Sequence, residues 1–136
     1  MYLLDTNILL EFLLNQERAD DVEMFLRGTP QEKLYLSEFS LYSLGIILLR
    51  RKMSETFTRT VDDLFLQGGI RLVRLGVAAM MDIVKIAQKF NLDFDDAYQY
   101  TAAEQYDLTL VSFDHDFDRT EMGRKTPAQV LAAEEI

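Results

Sequence analysis

The sequence contains no cysteine and only one histidine. Without cysteine the chain forms no disulfide, carries no thiolate nucleophile and binds no zinc or iron–sulfur cluster through thiolates. Because His115 stands alone, a histidine-rich metal site and a Ser-His-Asp triad have little support, and we expect His115 in an exposed loop. The glycine motifs G-x-x-x-x-G-K-[ST] and G-x-G-x-x-G are also missing, so a nucleotide-binding loop has no basis.

Linkers and long apolar runs are scarce as well. The 136 residues include two prolines and six glycines but no linker or internal repeat, so we predict a single domain over residues 1–136. The longest strongly apolar stretch, residues 41–49, is far shorter than the ~20 residues that cross a bilayer. The first residues lack the basic segment of a signal peptide. We therefore expect a soluble cytoplasmic protein that does not enter a membrane.

Basic residues are fewer than acidic ones, and the excess acid is concentrated. The chain has 14 Lys and Arg against 23 Asp and Glu, a net charge of −9, and residues 93–118 hold eight of these acids with no Lys or Arg. This balance argues against a protein that coats DNA through a basic surface. We interpret the basic groups at 50–52 and 119–125 as solvated surface, with contacts to phosphate as the alternative.

Strand-like and helix-like segments alternate along the chain. Strands separated by helices indicate a parallel sheet covered on both faces. The sequence therefore predicts an α/β fold, a three-layer α/β/α domain with a central parallel sheet. The predicted strands are 2–5, 34–37, 70–75 and 108–113, and the predicted helices are 6–14, 17–27, 40–52, 54–67, 77–90, 93–106 and a short helix from 127, with Ser40, Ser54, Asp93 and Thr126 as N-caps.

One predicted helix is apolar on nearly all sides. Residues 39–49 are interrupted only by serines, a tyrosine and a glycine. A helix without a polar face is buried in the core, in a contact between subunits, or in both.

Carboxylates follow the ends of the first and last strands and open one helix. Asp5 comes directly after the first strand, and Asp114 and Asp116 follow the last. Asp93, Asp95 and Asp96 form the cap and first turn of a helix. Because the carboxyl ends of parallel strands share one edge of the sheet, we expect these acids to converge there. Mg²⁺ or Mn²⁺, which take oxygen ligands, would relieve the resulting repulsion.

Each acid also has a plainer interpretation. Asp5 could simply cap the helix that follows it. Asp93 is the expected cap of its own helix, with Asp96 as its capping-box partner, and acids favour the first turn of any helix. Asp114, Asp116 and Asp118 could form a polar surface loop, an interpretation that we favour for Asp118. An acid at every one of these ends is harder to explain by capping alone.

Two segments resemble the PIN-domain family, the nuclease fold of VapC-type toxins. The opening YLLDTNILLE resembles the first motif of that family, apolar residues followed by Asp-Thr-Asn. The segment DFDDAYQYTAAEQYDLTLVSFDHDFDR resembles its last two motifs joined. The resemblance implies a parallel sheet between helices, a Mg²⁺ or Mn²⁺ site and hydrolysis of RNA phosphodiester bonds. It further implies that Asp5, Asp96, Asp114 and Asp116 hold the metal and form the catalytic site, with Asn7 in support.

The second motif departs from the family pattern. Relatives carry a glutamate early in the helix after the second strand, in a pattern like S-x-x-T-x-x-E, and Ser43 occupies that place here. Glu38, five residues earlier, is the alternative source of this acid. Two hypotheses follow: a metal-dependent ribonuclease, or a catalytically weak or inactive PIN-like module that binds RNA or a protein. The resemblance also implies possible membership of a toxin–antitoxin pair, with an antitoxin partner, and a homodimer.

Overall fold

Four short parallel strands form the centre of the fold. The computed structural model describes residues 1–134, and its strands lie in the order β3-β2-β1-β4. In register, Leu3 of β1 pairs with Tyr35 of β2 on one side and with Leu110 of β4 on the other. The predicted parallel sheet is confirmed, and the strands are β1 Tyr2–Leu4, β2 Leu34–Ser37, β3 Arg71–Val73 and β4 Thr109–Val111.

Helices cover both faces of this sheet. Adjacent strand residues point to opposite faces, so Leu3 packs into one apolar cluster with Ile83 and Tyr100, and Leu4 packs into a second with Ile8. The three-layer α/β/α arrangement is therefore confirmed. The helices are α1 Thr6–Leu13, α2 Ala19–Gly28, α3 Glu38–Arg50, α4 Ser54–Val61, α5 Met80–Phe90, α6 Phe94–Gln105 and α7 Pro127–Glu134.

Two of the four predicted N-caps, Ser40 and Ser54, are wrong. Ser37, not Ser40, caps α3, and its Oγ accepts a hydrogen bond from the backbone N–H of Ser40 at 3.0 Å. The helix thus begins right after β2, because the last strand residue already has the extended backbone that a cap needs. Ser54 lies inside α4 and makes no capping bond. Thr126 does form the predicted capping box with Gln129, through bonds of 2.9 and 3.2 Å.

The apolar helix α3 is only partly buried. Leu44 and Leu48 are fully buried, whereas Tyr42, Ile46 and Leu49 are each more than half exposed. One side of the helix therefore packs in the core, and its outer side is an apolar stripe on the surface. No helix within residues 1–134 combines the length and the apolarity that crossing a bilayer requires.

Candidate metal centre

The ends of β1 and β4 and the start of α6 bring the acids together. The backbone N–H of Asp5 donates to the carbonyl of Val111 at 2.9 Å, so Asp5 lies directly beside the end of β4. Asp114 lies three residues after Val111, the last residue of β4. Asp96 lies in the first turn of α6. Carboxylate oxygens of Asp96, Asp114 and Asp116 lie within 4.8 Å of one another.

Asp5 is the most deeply buried of these acids. Its side chain accepts hydrogen bonds from the backbone N–H of Thr6 at 2.8 Å, from Ser112 Oγ at 2.7 Å and from Gln99 Nε2 at 3.4 Å. The predicted capping of α1 is therefore real, yet the same carboxylate also lines the acidic cleft. Burial raises the pKa of Asp5 to about 6, against the effect of the Ser112 and Thr6 bonds.

Asp96 is strained electrostatically by its neighbours. Burial is the first cause that raises the pKa of Asp96 to about 7, and the charges of Asp114, Asp95 and Asp5 raise it further. Asp93 occupies the N-cap position of α6 but makes no side-chain capping bond, so the predicted capping box with Asp96 is wrong. The carboxylate of Asp96 is therefore left to interact with the other acids.

Two hydrogen bonds between backbone N–H groups and side-chain oxygens hold the turn at Asp114. Asp114 Oδ1 accepts from the backbone N–H of Asp116 at 2.8 Å, and the backbone N–H of Asp114 donates to Ser112 Oγ at 3.0 Å. Asp116 is about half exposed and lies 3.6 Å from the guanidinium of Arg119. Asp116 therefore stands at the outer edge of the cluster.

Ser112 and Asn7 connect the two strand ends. Ser112 Oγ donates to Asp5 and accepts from Asn7 Nδ2 at 3.3 Å, while Asn7 Oδ1 accepts from the backbone N–H of Phe113 at 3.3 Å. The supporting position expected for Asn7 is thus next to the acids. Sequence reasoning missed Ser112, and its signal was a small polar residue closing an apolar strand before an acidic turn.

Gln99 and Ser40 form a second support that the sequence did not reveal. Gln99 is 2% exposed, and its Nε2 donates to Ser40 Oγ as well as to Asp5. Thr6 Oγ1 donates to the same Ser40 oxygen at 2.8 Å. Gln99 Oε1 is buried and has no hydrogen-bond partner within residues 1–134.

Asp5, Asp96 and Asp114 line a cleft of about 270 Å³ between α1, α3 and α6, and Asp116 lies outside its lining. Ser43 lies in its wall, as the spacing of the second motif suggested. Glu38 does not line this cleft, because its carboxylate accepts a hydrogen bond from Tyr42 and lies 3.7 Å from Arg74. The lining side chains are Asp5, Thr6, Asn7, Leu10, Phe39, Ser43, Ile47, Asp95, Asp96, Gln99 and Asp114.

The chemistry of this donor set fits a hard divalent cation. Every charged group in the cleft is a carboxylate, and the hydrogen bonds to Asp5 come from neutral donors. Burial is the first cause of the raised pKa values of Asp5 and Asp96, and the negative charges of neighbouring carboxylates add to it. A cation bound by oxygen ligands would remove that charge, as Mg²⁺ and Mn²⁺ do in proteins.

Arg124 forms hydrogen bonds to two residues of the acidic turn. Its side chain is only 11% exposed, which corrects the expectation of a solvated surface residue. The guanidinium donates to the carbonyl of Ser112 at 3.2 Å and to Asp118 at 3.1 and 3.2 Å, and it contacts His115 Nδ1 at 3.1 Å. Asp118 is therefore the anchor of this arginine on the turn.

We expect Arg124→Gln to lower the free energy of unfolding by ~2 kcal/mol, since charge-assisted bonds to a largely buried guanidinium are lost. Urea unfolding measures the change. Lys89→Gln is the matched control, because it removes the exposed pair with Glu121 and should cost well under ~1 kcal/mol. Equal losses in the two variants would show that Arg124 has no special anchoring role.

Comparison with known proteins agrees with this architecture. The chain is similar to the toxin–antitoxin complex from Klebsiella pneumoniae, with 21% identity and a TM-score of 0.74 over 93% of this chain and 98% of that one. It is similar to VapC20 from Mycobacterium tuberculosis, a sarcin-ricin loop cleaving toxin, with 14% identity and a TM-score of 0.76 over 90% and 96%. It is also similar to FitAcB from Neisseria gonorrhoeae, with 25% identity and a TM-score of 0.68 over 94% and 99%.

Among curated protein sequences, none matches the chain significantly. The sequence pattern of the PIN domain, in contrast, matches residues 2–122 and so includes all four strands and both acidic motifs. The match covers far more than half of the chain, and the chain therefore belongs to the PIN-domain family.

Proposed function

We propose that this protein is a Mg²⁺- or Mn²⁺-dependent endoribonuclease that hydrolyses RNA phosphodiester bonds. The observation that carries the proposal is the approach of Asp96, Asp114 and Asp116 to within 4.8 Å beside the buried Asp5, at the carboxyl edge of a parallel sheet. Membership of the PIN family supports the reaction class, and the similarity to VapC20, a sarcin-ricin loop cleaving toxin, supports RNA as the substrate.

In this proposal Asp5, Asp96, Asp114 and Asp116 hold the cation. When bound, a divalent ion activates water, orients the phosphate and neutralises the developing charge. Ser112 positions Asp5 and Asp114 through its hydroxyl, so that both carboxylates face the cleft. Asn7 ties α1 to the end of β4, and keeps the two acidic strand ends at a fixed separation.

The protonation states follow from the raised pKa values. Below about pH 6 both Asp5 and Asp96 carry protons and cannot serve as anionic ligands, whereas above about pH 7 both are ionised. The proposed activity should therefore rise with pH across this interval, because metal binding requires deprotonated carboxylates.

Partners and location are also proposals. The Klebsiella pneumoniae relative is a toxin–antitoxin complex, which supports an antitoxin that binds this chain. The exposed stripe of Tyr42, Ile46 and Leu49 on α3 supports a homodimer that covers apolar surface. A cytoplasmic location is proposed on the basis of membership of the PIN-domain family.

The second candidate function is a catalytically weak or inactive module that binds RNA or a protein. Ser43 favours it, because a hydroxyl in the cleft wall adds no negative charge where relatives have a glutamate. The fold and the remaining acids are the same under both candidates, so activity must be measured.

Cleavage of end-labelled RNA by purified protein separates the two. We expect Mn²⁺-dependent cleavage that EDTA stops and that excess Mn²⁺ restores. Asp114→Asn, purified in parallel, should lower the rate at least ~100-fold. The same variant is the control for contaminating nuclease, whose activity would not change. Cleavage that survives EDTA or Asp114→Asn would contradict the proposed function. RNA binding without cleavage would favour the second candidate.

A further inference from the structure

A second arm of the cleft carries basic side chains. It has a volume of about 470 Å³ and shares Asn7, Leu10, Ile47 and Asp114 with the acidic cleft, so the two form one continuous groove. Its wall adds two arginines, Arg18 and Arg51, whereas the acidic arm has no basic lining residue. The groove therefore has carboxylates as its only charged residues in one arm and adds two arginines in the other, and both arms share Asp114.

Both arginines are available to a ligand. Arg18 and Arg51 are exposed, and neither forms an ion pair with an acid of residues 1–134. Glu11 also lines this arm, but it is only 9% exposed. Asp114, the other acid of the arm, is half-buried, so the exposed charged side chains of the arm are the two arginines.

Arg18 has a defined orientation. Its guanidinium carbon lies 3.8 Å from the centroid of the Phe113 ring, a cation–π contact that holds the planar group on the aromatic face. Phe113 follows Ser112 directly and precedes Asp114, so the stack is one residue away from the acidic turn. A guanidinium plane of this kind is a surface on which an unstacked base can lie.

We infer that Arg18, Arg51 and Phe113 form a subsite for the nucleotide next to the scissile phosphate of single-stranded RNA. This inference rests on the proposed function. Arg51 contacts a phosphate of the strand, and Arg18 contacts the adjoining phosphate or supports a base through its stack on Phe113. A single strand fits this role because its bases are free to stack. Only one sugar-phosphate backbone then has to pass the acidic arm, whereas a duplex has two.

The net charge of −9 opposes RNA binding unless cationic groups lie along the groove. The acidic cleft repels a polyanion, and ions held there compensate only the phosphate that they contact. Phosphates on either side need their own cations, and Arg18 and Arg51 are the basic residues that line the groove. For Arg51, the inference therefore adopts the alternative of a contact to phosphate over that of a solvated surface residue.

Anisotropy of a fluorescent RNA of about 12 nucleotides, titrated with the full chain in Ca²⁺ buffer, tests the subsite. Arg18→Gln and Arg51→Gln should each weaken binding about five- to tenfold, and each should lower the slope of log K against log salt by about 0.7. Phe113→Leu should weaken binding without changing that slope. Arg27→Gln is the control, since it removes the same charge at an exposed pair with Glu23 outside the groove.

Unchanged affinity and slope in Arg18→Gln and Arg51→Gln would overturn the inference. It would also fail if poly-glutamate of equal length competed as well as RNA, because the arm would then bind anions or acidic proteins in general. Mn²⁺-dependent hydrolysis of bis(p-nitrophenyl) phosphate, which reaches only the acidic arm, tests the proposed function separately. Wild-type protein without that hydrolysis, but with RNA binding that responds to the arginines, would contradict the nuclease and retain the subsite.

Discussion

Millimolar Mn²⁺ should raise the melting temperature by roughly 10 °C at pH 7.5 and by much less at pH 5. An ion at a hundredfold excess over its Kd, bound only to the native state, stabilises by ~2.7 kcal/mol. For a domain of this size, 1 kcal/mol corresponds to ~3–5 °C. Differential scanning calorimetry in both buffers measures the two gains.

The dependence on pH follows from Asp5 and Asp96. Their native pKa values of about 6 and about 7 lie above the ordinary 3.8, so the native state binds more protons than the unfolded chain between about pH 4 and pH 7. The stability of the metal-free protein therefore falls as pH rises through this window. For Asp5, whose pKa rises from 3.8 to about 6, the loss is on the order of 3 kcal/mol. Bound Mn²⁺ offsets this loss only where the carboxylates are ionised.

Asp96→Asn is the decisive variant for this prediction. It should abolish most of the Mn²⁺ gain at pH 7.5 and leave the metal-free protein as stable as wild type or more so, because it removes one of the repelling charges. Asp82→Asn, which changes an exposed acid on α5 outside the acidic cleft, should keep the full gain. An undiminished gain in Asp96→Asn would mean that Mn²⁺ binds elsewhere.

Ser43→Glu should act in opposite directions on metal affinity and on metal-free stability. An additional carboxylate in the cleft wall adds ligand charge, and we expect Mn²⁺ binding to tighten at least about tenfold, or ~1.4 kcal/mol. The same charge adds to the repulsion around Asp5 and Asp96, and should cost the metal-free protein ~1–2 kcal/mol at pH 7.5. Any Mn²⁺-dependent RNA cleavage should become faster.

Two controls test whether the effect comes from the charge of the new side chain and not from its size, and whether Glu38 contributes to metal binding. Ser43→Gln has the size of glutamate without its charge and should not tighten Mn²⁺ binding. Glu38→Gln should leave Mn²⁺ affinity unchanged, because Glu38 faces Tyr42 and Arg74 rather than the cleft. Tighter binding in Ser43→Gln, or weaker binding in Glu38→Gln, would contradict the assignment of the second motif to Ser43.

The positions of the acids could be predicted because each follows a simple pattern. An apolar run that ends on Asp5, and another that ends shortly before Asp114, already indicate two parallel strands with carboxylates at one edge. The motif spacing also predicted that Ser43 lies at the site, and the geometry of α3 explains why it does. Phe39, Ser43 and Ile47 are four residues apart and share one face of the helix, and all three line the cleft.

The supporting residues were beyond the reach of sequence patterns. Gln99 lies in a helix of alanines and tyrosines, where nothing marks a buried amide that bonds to Asp5 across 94 residues. Ser40 was expected to cap α3, so its inward hydroxyl was missed when the helix start was misplaced. The correct start also turns Glu38 onto the face of Tyr42, away from the acids. Long-range hydrogen bonds of this kind follow from the packed structure and not from local spacing.

Calorimetric titration of the metal-free protein with Mn²⁺ at pH 6.5, repeated in buffers of different ionisation enthalpy, tests the metal centre most directly. Asp5 and Asp96 have pKa values on either side of this pH, so binding should release about one proton per protein. Asp114→Asn should weaken the binding strongly. Mn²⁺ binding that releases no proton, or that is as tight in Asp114→Asn as in the wild type, would contradict a metal centre built from these four acids.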